Sequence, residues 1–267
     1  MNSAPFFILN NQLQAFMNKV SKPRVNTFSC IHRMRIATRK LESLLRLFKF
    51  AISKKLFCKV NKLLGKIRKK AGTIRNHQLF LKNIDKATFS DRKLKKSFTT
   101  HIQKNIRCSK AEFCDFAKKH KSKLLVLLKE VNLQIKTLQL RKCQKIKRSK
   151  IRGFKKRVEA AIRNKQIRFK EIHEMRITAK KLRYQLEILS EIHSNKNDQS
   201  AIKQLRKLQK VFGRITDQKL FIRHMVMLRQ YYKKESDTSV KELDPLIRQA
   251  KQRFRKSKSS LGLKKII

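Results

Sequence analysis

Apolar residues recur along the chain at intervals of three and four positions, which is the period of amphipathic α-helices. The pattern predicts helices over about residues 6–20, 27–50 and 53–71, a further helical segment to about residue 80, and mostly helix over 91–148. Beyond these it predicts helices over 151–164, 169–192, 200–212 and 244–256. No stretch shows the strict alternation of a β-strand, so we predict an all-α fold.

A few residues predict where these helices begin and end. Gly72 is expected to end or bend the third helix, and a turn is expected near residues 118–122 of the long helical stretch that follows. The basic run at residues 141–157, with its single glycine, is the predicted junction between two halves of the chain. Asp244, which a proline follows, is predicted to be the N-cap of the last helix.

One segment of the pattern occurs twice. The first copy, residues 32–41, reads HRMRIATRKL, and the second, residues 173–182, reads HEMRITAKKL. At about 100° per residue, each copy forms a helix with an apolar stripe on one side and a basic stripe on the other. The basic stripes consist of His32, Arg35, Arg39 and Arg46 in the first copy and of His173, Arg176 and Lys180 in the second. Because the spacing is the same twice, we expect both stripes to face a common ligand.

The offset between the two copies is 141 residues, and the sequences that follow them keep this offset. Gly72, for example, falls on Gly213, and the phase holds over about 50 residues without a gap. A sustained offset of this kind indicates internal duplication. We therefore predict one domain over residues 1–267, made of two pseudo-symmetric helical bundles at about 4–140 and 146–257, with a basic tail at 258–267.

The charge of the chain is far from balanced. It has 71 Lys and Arg residues against 17 Asp and Glu residues, a formal net charge of +54. Self-repulsion of this size opposes a compact state unless a polyanion neutralises it. Charge alone is compatible with nucleic acid, an anionic membrane surface or another polyphosphate as the partner, in that order of frequency.

The cysteines and the first residues bear on where the protein acts. Its five cysteines are odd in number and form no Cys-x-x-Cys pair, so neither a disulfide framework nor a zinc ribbon is indicated. The first 13 residues lack the basic start and long apolar core of a signal peptide. No apolar run approaches the roughly 20 residues of a membrane span. We expect a soluble protein of the reducing cytoplasm, without a membrane span.

The two histidines are candidate phosphate ligands. A lone His on a helix is more often structural or simply exposed, but His32 and His173 each precede basic residues at i+3 and i+7 on the same face. A neighbouring phosphate would raise the pKa of such a His and make it a further cationic donor. A metal site is the weaker interpretation, because no His, Cys, Asp or Glu at i+3 or i+4 completes a pair. Tyr184 could either reach a phosphate or cap the edge of the core.

Aromatic content and motifs restrict the alternatives. The chain has no Trp and only three Tyr, and most of its Phe residues occupy helix-periodic apolar positions. Proteins that bind single strands present exposed rings for base stacking, so the composition favours a ligand recognised by its phosphates alone. The sequence contains no Walker loop, no Gly-x-Ser-x-Gly and no His-Glu-x-x-His motif, and its carboxylates are scattered. We therefore expect no catalysis and no cofactor or metal.

The doubled motif resembles the CHAD domain, the conserved histidine α-helical domain. The resemblance rests on His32, Arg35, Arg39, Lys40 and Leu41, on His173, Arg176, Lys180, Lys181, Leu182, Arg183 and Tyr184, and on Leu205, Leu208, Gln209, Phe212, Gly213 and Asp217. Two positions differ between the copies: Glu42 stands where the second copy has Arg183, and Asn76 stands where it has Asp217. The resemblance implies two pseudo-symmetric helical halves around a basic channel, and binding of inorganic polyphosphate.

The prediction from sequence is therefore a non-catalytic domain that binds inorganic polyphosphate in the cytoplasm, at polyphosphate granules. The predicted binding residues are His32, Arg35, Arg39, Lys40, His173, Arg176, Lys180, Lys181, Arg183 and Tyr184. The alternative is a non-specific nucleic-acid-binding or ribosome-associated protein that uses its general charge. A polyphosphate-acting hydrolase or kinase is a third possibility, for which the sequence supplies no set of acidic metal ligands.

Overall fold

Seven α-helices make up the described part of the chain in a computed structural model. The described residues are 11, 15, 28–87, 89, 92–135, 140–163, 167–192, 196–234 and 243–259. The helices are α1 Phe28–Leu47, α2 Lys54–Asp85, α3 Arg92–Gln134, α4 Leu140–Arg163, α5 Phe169–Ile192, α6 Lys196–Lys234 and α7 Leu243–Ser259, and a 3-10 turn at Lys49–Ala51 follows α1. These ranges contain no β-strand, and the all-α prediction is confirmed.

The two helices that carry the doubled motif lie close to their predicted positions. The prediction of 169–192 matches α5 at both ends, and the prediction of 27–50 corresponds to α1 with the 3-10 turn after it. The Ser53 side chain accepts a hydrogen bond from the Leu56 amide and caps the start of α2. Of the predicted helix at 6–20, only Asn11 and Ala15 lie within the described residues, and both are helical.

Two predicted helix ends are wrong, at Gly72 and near residues 118–122, because an apolar face continues through both of them. Gly72 lies inside the 32-residue helix α2, between the buried residues Ala71 and Ile74. A single glycine costs a helix only about 0.5–1 kcal/mol relative to alanine, and burial on both sides outweighs that cost. The predicted turn near residues 118–122 falls within the 43-residue helix α3, where burial continues from Ala117 to Leu124.

The predicted junction at residues 141–157 lies inside α4 with its glycine, and its role as the boundary between two halves stays a prediction. Phe154 and Val158 of α4 are buried at helical spacing, which explains why the helix does not break there. Between α3 and α4 the chain passes through residues 136–139, outside the described part. At the end of the chain, α7 begins at Leu243 and places Asp244 in its first turn, where the carboxylate accepts hydrogen bonds from Arg229.

The buried apolar residues form three clusters. The first joins α1, α2 and the second part of α3, and the second joins α4, α5 and the first part of α6. The third cluster packs the end of α2 and the start of α3 against the end of α6 and α7, around Phe98 and Met225. Residues from both sides of the predicted boundary share this third cluster. The domain limits predicted from the sequence stay a prediction.

Helices α1 and α5 pack directly on each other, and this contact positions the site described below. Ile188 and Leu189 of α5 belong to the apolar cluster built around α1. In the same interface the buried Gln185 side chain donates a hydrogen bond of 3.0 Å to the backbone carbonyl of Ser43. The apolar stripes of the two motif helices are therefore held in the core, and their basic stripes are brought to one place.

Candidate cationic binding site

The basic stripe of α1 lies at the edge of the buried core. Met34 and Leu41 on the apolar side are fully buried, whereas Arg35 and Arg39 on the other side are half-buried. Helical periodicity explains this arrangement, because residues three and four apart share one face. The two guanidinium groups therefore lie where the helix surface turns from core to solvent.

On α5 the second stripe has the same arrangement. The Arg176 side chain is 19% exposed, and Lys180, one turn further along, is also half-buried. Tyr184 follows after one more turn and is 4% exposed. Its phenolic group acts electrostatically on both Arg35 and Arg39 of α1. The ring of Tyr184 is thus buried in the helix interface, as a residue that caps the core edge would be. Its hydroxyl end lies beside the basic stripes, as a phosphate contact would require.

Electrostatic coupling shows that the two stripes face each other. Arg35 of α1 interacts with Arg176 of α5, and Lys180 of α5 interacts with both Arg35 and Arg39. A third helix, α2, contributes Arg75, which interacts with Arg35 and His32. We call Arg35, Arg39, Arg75, Arg176 and Lys180 the cationic site. The sequence prediction of one shared location for both stripes therefore has a structural counterpart.

Burial, reinforced by neighbouring like charges, lowers the pKa of Lys180 and of Arg35. Burial, followed by the charges of Arg176 and Arg39, lowers the pKa of Lys180 to about 7. Burial, followed by Arg39 and Arg75, lowers the pKa of Arg35 to about 10. At neutral pH Arg35 therefore stays charged, whereas Lys180 is within the range in which it titrates. Such a site gains from any anion that replaces the lost hydration and neutralises the repulsion.

Each motif arginine lies against a glycine on the next helix. A Cβ atom added at Gly72 would be 3.9 Å from Nη2 of Arg35, and one added at Gly213 would be 3.7 Å from Nη2 of Arg176. These glycines are the pair related by the 141-residue offset, and both lie in helix interiors. Alanine would make an ordinary contact at either position, while a larger side chain would displace the guanidinium.

Two buried donors in the site have no protein acceptor. The Nε atoms of Arg35 and Arg176 are both buried without a hydrogen-bond partner among the described residues. Buried polar groups in native proteins are usually paired, and an unpaired donor costs about 1–3 kcal/mol. An anion that accepts from these atoms would remove that cost. The same atom is left unpaired on both motif arginines.

The histidines lie at the margin of the site. His32 is largely exposed, and partial desolvation, followed by the charges of Arg75 and Arg35, lowers its pKa. Burial and the charge of Arg176 likewise lower the pKa of His173. Both rings therefore favour the neutral form while the site is free. A bound phosphate would act in the opposite direction.

The remaining predicted residues divide between two neighbouring places. Lys181 lies near Arg46, Arg68 and Glu42. Burial, followed by the charges of the two arginines, lowers the pKa of Lys181, and the charge of Glu42 opposes this. Arg68 donates to the buried Glu42 carboxylate at 2.9 Å. This group adjoins the cationic site through Arg39, which interacts with both Arg68 and Glu42.

Arg183 lies instead beside Glu187, and Lys40 lines a cavity that Glu187 also lines. Lys40 lines a cavity of about 360 Å³ together with Glu187, Ser190, Gln199, Ile202, Lys203 and Arg206. Arg183 lies 3.6 Å from the Glu187 carboxylate, to which Arg206 also donates at 2.9 Å. The structure therefore brings together Arg35, Arg39, Arg176, Lys180, Tyr184 and the two histidines. It pairs Arg183 with Glu187 and places Lys40 in the neighbouring cavity.

Sequence analysis missed Arg68 and Arg75 of α2 as members of this region. Both lie outside the doubled motif, and among so many basic residues their charge is not a distinguishing signal. One signal was present, because Arg75 follows Gly72 by three residues and so shares its helix face. Since Gly72 contacts Arg35, Arg75 is brought to the same place.

Neither a metal-binding cluster nor a membrane-spanning helix occurs among the described residues. They contain no group of three or more His, Cys, Asp or Glu side chains placed to hold a metal ion. None of the helices within them is both long and apolar enough to cross a lipid bilayer.

Fold and site together define an all-α domain with a cationic site between its two motif helices. Residues 11–226 match the CHAD domain family, and the chain belongs to that family. It is a family of binding domains, known for binding polyphosphate. The chain is also similar to the crystal structure of the CHAD domain from the plant Ricinus communis. The TM-score is 0.71 at 17% identity, over 96% of this chain and 89% of that one. None of the curated proteins compared with the chain matches it.

Proposed function

We propose that this protein binds inorganic polyphosphate at the cationic site and does not act on it chemically. The observation that carries the proposal is the convergence of two basic stripes, one from each motif helix, with a buried unpaired Nε on Arg35 and on Arg176. Guanidinium groups suit phosphate oxygens because their donors form a planar fork. A phosphate chain would supply acceptors to both arginines at once.

The extent of the basic surface favours a linear polyanion over a single small anion. Along α1 the stripe continues from His32 to Arg46, which at 1.5 Å per residue is about 21 Å. The group of Lys181, Arg46 and Arg68 extends the cationic site past Arg39. Only a chain of several phosphates could contact all of these groups together. We propose that these groups together line the basic channel that was predicted from the sequence.

The site has little to offer a nucleobase. Tyr184, the tyrosine beside the site, is 4% exposed, so its ring face is not presented for stacking. A polyanion without bases fits such a site better than single-stranded nucleic acid does. Non-specific nucleic-acid binding through the general charge of +54 is the competing proposal. Action in the cytoplasm, at polyphosphate granules, stays a prediction from the sequence.

Competition at several salt concentrations separates these two proposals. The protein is titrated with long-chain polyphosphate, pyrophosphate, duplex DNA and RNA, with the polymers matched in total charge. We expect saturable binding of polyphosphate, much weaker binding of pyrophosphate, and poor competition by either nucleic acid. Orthophosphate release is measured in the same samples with Mg²⁺ or Mn²⁺, and we expect none above background. If DNA competes as well as polyphosphate per charge, the nucleic-acid proposal is correct. Phosphate release that a single substitution abolishes would show an enzyme.

A further inference from the structure

One carboxylate lies within the cationic site. Oδ1 of Asp217 is 3.3 Å from Nη2 of Arg176, and the Asp217 side chain is 46% exposed. Arg176 packs against Gly213 of α6, and Asp217 follows Gly213 by one turn of that helix. Helix α6 therefore brings the Asp217 carboxylate to Arg176. The carboxylate is therefore open to solvent beside the more buried Arg176 side chain.

Asp217 acts on more than its direct partner. Its charge opposes the lowering of the pKa of Lys180, whose first cause is burial. It acts in the same sense on Arg75 of α2, where burial is again the first cause of the lowered pKa. A single carboxylate on α6 thus counterbalances cations from two other helices.

The two halves of the sequence differ at this position. Asn76 stands on α2 where Asp217 stands on α6, one turn after the equivalent glycine, Gly72. An asparagine can accept a hydrogen bond but carries no charge. The position on α2 equivalent to Asp217 therefore carries no charge, and the carboxylate that acts on the α1 stripe is Glu42, beside Arg39.

We propose that Asp217 is a built-in counter-ion, which stabilises the unliganded site and, by occupying part of the charge that a phosphate would neutralise, limits the affinity for polyphosphate. This inference rests on the proposed function. Bringing a phosphate beside Arg176 and Lys180 places it next to a like charge, and the repulsion opposes binding. Without ligand, the same carboxylate reduces the repulsion among the buried cations. The residue thus exchanges affinity for stability of the free protein.

Asp217→Asn tests this directly, because it keeps the shape and one acceptor while removing the charge. We expect its affinity for long-chain polyphosphate to rise by roughly tenfold, since a unit charge a few ångströms from the ligand acts through a moderate dielectric. We expect its melting temperature without ligand to fall. A merely structural role would lower affinity and stability together.

Two further variants complete the experiment. Asn76→Asp places a carboxylate at the equivalent position on α2 and should lower the affinity. Glu159→Gln makes the same change in net charge at an exposed position of α4, and should change the affinity less than twofold. Lower affinity of Asp217→Asn would overturn the proposal and point to a positioning or cation-holding carboxylate. Unchanged affinity would overturn it too. Absence of saturable polyphosphate binding by the unaltered protein would instead sink the proposed function, which the first titration decides separately.

Discussion

At the scale of single residues, the site depends on which cationic side chain occupies which position. Three of the five cations in the site are arginines of the doubled motif, on α1 and α5. Burial lowers the pKa of one of them, Arg35, to about 10, which still leaves it charged at neutral pH. Lysine is easier to neutralise. With a pKa of about 7, Lys180 loses its charge near neutral pH while the site is free. Protonation of this one residue should therefore be coupled to binding.

We predict that polyphosphate affinity falls as the pH rises from about 7 to 9. The pKa of Lys180 is depressed by burial and by Arg176 in the free protein, and a bound phosphate raises it. Binding therefore takes up a proton in this window, and affinity can change by up to about tenfold per pH unit. Below pH 7 the residue is charged in both states, so its contribution is fully present there. Calorimetric titrations at several pH values, in buffers of different ionisation enthalpy, measure both the affinity and the proton uptake.

Lys180→Arg is the control for this coupling. Arginine keeps the positive charge across the whole range, so the variant should bind with nearly the same affinity at pH 7 and pH 9. Its proton uptake in the same window should be close to zero. A variant that keeps the slope of the unaltered protein would show that another group titrates.

The sequence predicted which side chains share a helix face, but it did not predict which partners the flanking side chains have. The doubled spacing puts Arg35 and Arg176 at equivalent positions on their two helices, because a helix fixes which residues share a face. The partners of the flanking residues depend on how helices cross, which no local pattern encodes. Lys40 and Lys181 occupy the same motif position, yet one lines a cavity with Glu187 and the other lies with Glu42.

At the scale of secondary structure, the helices were predicted well and their interruptions were not. Glycine signals a possible helix end, but Gly72 and Gly213 lie inside long helices, each beside a motif arginine. Local propensity cannot distinguish a glycine that ends a helix from one that makes room for a side chain on a neighbour. Tertiary packing decides between them, since apolar residues on both sides of Gly72 are buried.

We predict that the two motif helices contribute to one ligand site. Replacing Arg35 and Arg39 with Ala, or Arg176 and Lys180 with Ala, removes only two charges of a total of +54. Each pair should nevertheless weaken polyphosphate binding strongly, because a charge-assisted hydrogen bond in a partly desolvated site contributes about 1.5–3 kcal/mol. The two double variants together should lose less than the sum of their effects, since losing one stripe already displaces the chain. Binding isotherms at fixed salt measure all three.

The matched control removes two charges from α4. Lys145 and Lys156 are exposed there, and replacing both with Ala should cost little affinity. Lys147 of the same helix is unsuitable, because it is buried and its ammonium lies 2.8 Å from the Asp198 carboxylate. Breaking a buried pair of this kind costs about 3–5 kcal/mol of stability and would confuse the comparison. A control that weakens binding as much as the motif pairs would mean that general charge binds the ligand.

At the scale of the whole molecule, three apolar clusters hold a chain that repels itself. The all-α prediction agrees with the structure because the apolar residues whose spacing predicts the helices are the ones that form these clusters. They do not remove the electrostatic cost of a net charge of +54. At 0.1 M salt, the repulsion between exposed charges more than about 10 Å apart is largely screened. A bound polyanion reduces it at the site itself.

Salt should therefore act in opposite directions on the free and the bound protein. We predict that the melting temperature of the free protein rises between 50 and 500 mM salt, because self-repulsion is screened. A polyphosphate concentration of about one hundred times the dissociation constant should add about 2.7 kcal/mol at low salt. In a chain of this size that corresponds to roughly 5–10 °C. The added shift should shrink steeply as salt rises, since binding a polyanion releases its counterions. Thermal unfolding over this salt series, with and without ligand, measures both trends. A ligand shift that is insensitive to salt would contradict an electrostatic site, and a free protein destabilised by salt would show that self-repulsion does not limit its stability.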